Sequence, residues 1–147
     1  MVLFTGADRD QLRRAWLEAW RKHHGGLPLE PLEAQLADVI EAHPEYHHLL
    51  DAGQEAAWRD WLPEGGESNP FLHMGLHMAV REAVATDRPP GIRPLYVELA
   101  ALAASPHEAE HDLLDCLAET LWEAQRDRRP PDEAAFLERA RRRVGRR

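Results

Sequence analysis

Proline placement constrains this chain more than any other feature, because a proline is tolerated in the first turn of a helix and disrupts its interior. Pro31, Pro70 and Pro106 each stand ahead of a stretch whose apolar residues recur with helical period, whereas Pro44 falls inside one and Pro130 with Pro131 falls between two. This punctuation predicts an all-α fold, a single-domain up-down bundle of about five to six helices. Asp8 is expected to cap a first helix running to about His24, stopped by Gly25 and Gly26. The second carries Leu32, Leu36, Val39 and Ile40 on one stripe and should kink or restart at Pro44, with His43 at the break. Asn69 and Pro70 open a third helix ending near Thr86, and residues 87 to 94 form a turn. A fourth covers residues 95 to 103, a fifth runs from a capping box of Ser105 and Glu108 to about Arg128, and a last covers 132 to 143. No segment alternates apolar and polar residues with β-branched enrichment, so no strand is expected.

At 147 residues, 44% hydrophobic and 30% charged, residues 1 to 147 fit one globular domain. The formal charge of −8 makes nucleic acid an unlikely partner, and the arginine-rich stretch 139 to 147 reads as a solvated, frayed helix end. No apolar run approaches membrane-spanning length, and residues 1 to 7 read as too short for a signal sequence, so no membrane partner is expected. Cys116 is the only cysteine, which rules out an internal disulfide and makes the cytoplasm the expected compartment.

Against this helical background, three histidine pairs share one spacing: His43 and His47, His73 and His77, His107 and His111. Three intervening residues put both imidazoles of a pair on one helix face, a turn apart. Nine histidines placed at random over this length should give roughly half of one such pair. Helical periodicity turns each pair toward its apolar stripe: His43 and His47 toward Leu36, His73 and His77 toward Val80 and Val84, His107 and His111 toward Leu114 and Leu121. In an up-down bundle the three pairs fall at the same end. His24 and His48 project to the surface, while His23 faces inward in the opposite layer.

Six inward imidazoles need partners for their ring nitrogens, and a bound cation supplies one for each. The expected site is therefore a metal centre of His43, His47, His73, His77, His107 and His111. Glu110, beside both histidines of its helix, is expected as a further ligand or as the catalytic acid/base group. Imidazole suits iron, zinc, copper and nickel; a two-ion site with iron favoured over zinc is expected. His107-Glu108-Ala109-Glu110-His111 also matches the H-E-x-x-H protease motif, but Glu108 points away and no edge strand is expected for a substrate. Glu41, Glu45 and Glu82 map to faces away from the histidines. Trp16, Trp20 and Trp122 read as core or boundary residues, Trp58 and Trp61 as pins for the loop 53 to 68, Cys116 as lying opposite its helix's stripe, and Arg81 as a surface salt bridge.

The stretches His43-Pro44-Glu45-Tyr46-His47, Asn69-Pro70-Phe71-Leu72-His73-Met74-Gly75-Leu76-His77 and His107-Glu108-Ala109-Glu110-His111, with Leu121-Trp122-Glu123-Ala124-Gln125, resemble the short bacterial proteins of the domain of unknown function 1841 family, over nearly the whole chain. That resemblance implies no established activity and no catalytic residues. From the residues, two functions stay open: a metal-dependent oxidoreductase or hydrolase acting on an unidentified small molecule, or a non-catalytic metal sensor, carrier or metal-stabilised interaction module.

Overall fold

The computed structural model describes residues 6–53 and 69–147, and every regular element among them is helical. In chain order these are α1 (Gly6–His24), α2 (Pro31–Glu41), a 3-10 turn (Pro44–Tyr46), α3 (His47–Asp51), α4 (Pro70–Thr86), α5 (Ile92–Leu102), α6 (Pro106–Arg126) and α7 (Glu133–Arg146). The all-α class holds. Seven α-helices stand among the described residues, in line with about five to six once the expected restart beyond Pro44 makes α3 a separate short helix. No described helix is long and apolar enough to cross a membrane. The chain divides into two compact units, residues 1–75 and 76–147.

In the first unit, α1 ends as its glycines dictate: Gly26 takes a positive φ of 67°, and the Leu27 amide donates to the Lys22 carbonyl at 2.9 Å. Asp8 stands inside α1, not ahead of it, since the helix begins at Gly6. Trp16, Ala19 and Trp20 of α1, Leu36, Val39 and Ile40 of α2, and Leu49 and Leu50 of α3 form the buried apolar set, with Phe71 and Met74 of α4. The Trp20 indole N–H donates to Asp51 at 2.8 Å, giving a buried ring its polar partner. Leu32, expected on the apolar stripe, is 57% exposed: it lies in the first turn of α2, ahead of the buried stretch that starts at Leu36. Trp58, Trp61 and all but the first residue of the loop they were expected to pin lie outside the described residues.

The second unit is built on Val80, Ile92, Leu99, Ala109, Leu113, Leu114, Cys116, Leu117, Phe136 and Ala140. Asn69 opens α4 as its sequence predicts, with Oδ1 accepting from the Phe71 and Leu72 amides. Gly91, at φ 106°, lets the chain turn into α5, a conformation any side chain would strain. Asp132 caps α7 by accepting from the Ala135 amide at 3.0 Å.

α6 has helices on more than one side, and two expectations, for Trp122 and for residues 139 to 147, fail around it. Cys116, opposite the apolar stripe, is buried because α7 lies over that face. Trp122 is instead 59% exposed, with the Arg126 guanidinium 4.9 Å above its ring. Residues 139 to 147 are docked, not frayed. Arg139 pairs with Glu119 and Glu123, Arg143 with Asp112 and Asp115, and Arg147 with Asp112 and Glu108.

Candidate metal centre

Ser105 and Pro106 start α6: the serine Oγ accepts from the Glu108 amide at 3.1 Å, and the proline occupies the first turn. The reciprocal half of the expected capping box is missing, because the Glu108 carboxylate turns to Arg147 instead. With the helix started there, His107, Glu110 and His111 follow at intervals that bring all three to one side of its first two turns. α4 contributes His77, which is fully buried.

These residues meet. The His77 ring stacks on His107 with centroids 5.2 Å apart and planes 8° off parallel, and lies 5.5 Å from the His111 ring. His107 and His111 are 6.2 Å apart. A ring nitrogen of His77 comes within 4.8 Å of one on His107, and one within 4.8 Å of one on His111.

Glu110 decides which nitrogen His77 can offer. Its Oε1 accepts from His77 Nδ1 at 2.7 Å and from Arg81 Nε at 2.9 Å, in a position where the residue is only 7% exposed. Burial alone would raise the Glu110 pKa, but the hydrogen bonds from His77 and Arg81 outweigh it and hold the carboxyl below its ordinary value. An ionised carboxylate only accepts, so a proton lies on Nδ1, which leaves Nε2 as the ring nitrogen that can offer a lone pair to a metal. Carboxylate support of this kind orients metal-binding histidines in many sites. Arg81, expected in a surface salt bridge, thus reaches a buried carboxylate. Its position one turn after His77 was the available signal.

The first unit holds a second histidine group. His43 is buried, and its Nδ1 donates to the Val39 carbonyl at 2.7 Å, which again places the lone pair on Nε2. Tyr46 stacks on His43 at 5.6 Å, and His73 stands edge-on to His43 at 5.2 Å and to Tyr46 at 6.1 Å. The sequence reading did not single out Tyr46; its hydroxyl pKa is raised by burial, with the Glu45 charge adding to the effect. His47 is brought elsewhere. Its Nε2 donates to the Ile40 carbonyl at 2.8 Å and its ring packs 4.7 Å from Trp20. The cause is local: His43 has a non-helical backbone and the 3-10 turn follows it, so the four-residue spacing no longer equals one α-helical turn.

On α4, which is continuous, His73 and His77 keep the expected spacing of one turn. His24 and His48 are exposed, as are Glu41, Glu45 and Glu82. His23, expected to face inward, is exposed and meets Glu41 at 2.9 Å, since it lies in the last turn of α1.

The model of a protein family described as a domain of unknown function, number 1841, matches residues 8–142. No curated protein and no solved structure matches the chain.

Proposed function

The chain belongs to the family of domain of unknown function 1841, and within it we propose that this protein binds a first-row transition metal at His77, which Glu110 orients and which His107 and His111 each approach within ligand range. The observation that carries the reading is the buried His77, held through Nδ1 by an ionised carboxylate at 2.7 Å and flanked by two further imidazoles. The second group, His43 and His73, supports two ions over one. Iron is favoured over zinc, and nitrogen donors accommodate both.

His111 lies at the open edge of its group, with 42% of its side chain exposed, which favours an ion that small molecules can reach. There the ion would activate dioxygen or lower the pKa of a bound water, as in an oxidoreductase or a hydrolase. Glu110, expected as an acid/base group, is engaged by two donors, and in this reading it positions His77 instead of moving protons. The same engagement favours the alternative, a metal carrier or sensor that needs no proton relay.

Anaerobic titration with Fe(II), and separately with Zn(II), in competition with a chromophoric chelator tests the reading. His77→Ala and His107→Ala should each weaken binding by at least about a hundredfold, through lost ligands. Unchanged affinity in both would refute the site. His43→Ala and His73→Ala, measured alongside, should remove one equivalent if two ions bind.

A further inference from the structure

On α6, Glu108 and Asp112 are four residues apart and share a face, and each directly follows one histidine of the candidate centre, His107 or His111. Arg147, one residue beyond α7, grips both. Its Nε donates to Asp112 Oδ2 at 2.8 Å, and its Nη2 lies 2.8 Å from Glu108 Oε1. The planar guanidinium fork suits such a two-carboxylate grip, which a single ammonium cannot reproduce with the same geometry. The Asp112 half of the contact is sheltered, with that side chain 10% exposed and Arg147 24%, while Glu108 is 43% exposed.

From this geometry we infer that Arg147 is a positioning residue for the metal centre, fixing the rotation of the turn that presents His107 and His111. The inference rests on the metal reading of those histidines. A helix turn held at two points one turn apart cannot roll about its axis, and rolling is the motion that would swing both imidazoles away from His77. The brace acts where α6 needs it, because amides in the first turn of a helix lack intrahelical acceptors and the end frays first. Removing it need not unfold the unit. Arg143 Nη1 still donates to Asp112 Oδ1 at 3.3 Å, so the buried carboxylate keeps a cationic partner.

The test uses the full chain with Arg147→Ala and Arg147→Lys, two readouts and one metal, Zn(II). In the first, zinc affinity by chelator competition should fall about tenfold in Arg147→Ala, within the range seen when outer supports of metal ligands are removed. Arg147→Lys should recover part of that loss. In the second, amide exchange in the metal-free protein should speed about tenfold at residues 109 to 113 of Arg147→Ala, with residues 118 to 124 unchanged. Exchange equal to wild type at 109 to 113, or wild-type zinc affinity in Arg147→Ala, overturns the inference while leaving the metal site standing. A wild type that binds neither zinc here nor Fe(II) in the anaerobic titration above refutes the metal reading, and the exchange comparison then decides by itself whether Arg147 braces the turn.

Discussion

Replacing Glu110 with glutamine keeps the shape of a buried side chain and removes its charge. In the native protein one carboxylate oxygen accepts two hydrogen bonds, from His77 at 2.7 Å and Arg81 at 2.9 Å. Hydrogen bonds to charged groups contribute about 1.5–3 kcal/mol and neutral ones about 0.5–1.5, so Glu110→Gln loses roughly 1–1.5 kcal/mol per bond. Relief from burying a carboxylate returns part of this, which leaves a net destabilisation of about 1–3 kcal/mol. Urea unfolding of metal-free wild type and variant should show it as a lower midpoint at unchanged slope. The pH dependence supplies a second check. The folded-state pKa of Glu110 lies below its ordinary value of 4.5, so its stabilisation is fully present above that value and is lost as pH falls through the lower folded value. The gap between wild type and variant should therefore hold from pH 7 to pH 5 and close below about 4.5. A variant as stable as wild type at pH 7, or a gap that persists unchanged at pH 4, refutes the assigned role of Glu110.

Burial pushes the Cys116 thiol up to about 11, so the native protein should resist a chromogenic disulfide reagent at pH 8 and react fully in urea. Because the folded value is the raised one, any contribution of this thiol to stability is present below pH 9 and declines as pH rises toward 11. Trp122→Ala should change stability by no more than about 0.5 kcal/mol as a surface substitution, whereas Trp16→Ala, which empties a fully buried site, should cost about 3–5 kcal/mol. Chemical denaturation of the two variants separates them.

How far the sequence reveals this molecule depends on the physics behind each residue. Asn69 with Pro70, Ser105 with Pro106, and Gly26 act through their own backbone and the next few residues, so the starts of α4 and α6 and the stop of α1 can be read locally. His77, Glu110 and His111 were legible because a continuous helix preserves its spacing. His47 was not, since the break at Pro44 rotates everything after it by an amount that periodicity does not supply. Cys116 and residues 139 to 147 depend on α7 covering α6, a tertiary fact that a one-stripe view of a helix leaves out. Tyr46 joins its histidine group through contacts that no local motif marks, whereas Arg81 is marked by its place one turn after His77 but not by any sign that its partner is the buried Glu110.

The metal content of the protein, produced without a histidine tag and measured by inductively coupled plasma mass spectrometry beside His77→Ala, tests the central claim most directly. The account predicts one to two equivalents of a first-row transition metal, iron ahead of zinc, in wild type and less than half of that in the variant. Metal-free wild type that takes up neither iron nor zinc and melts at the same temperature as His77→Ala would contradict it.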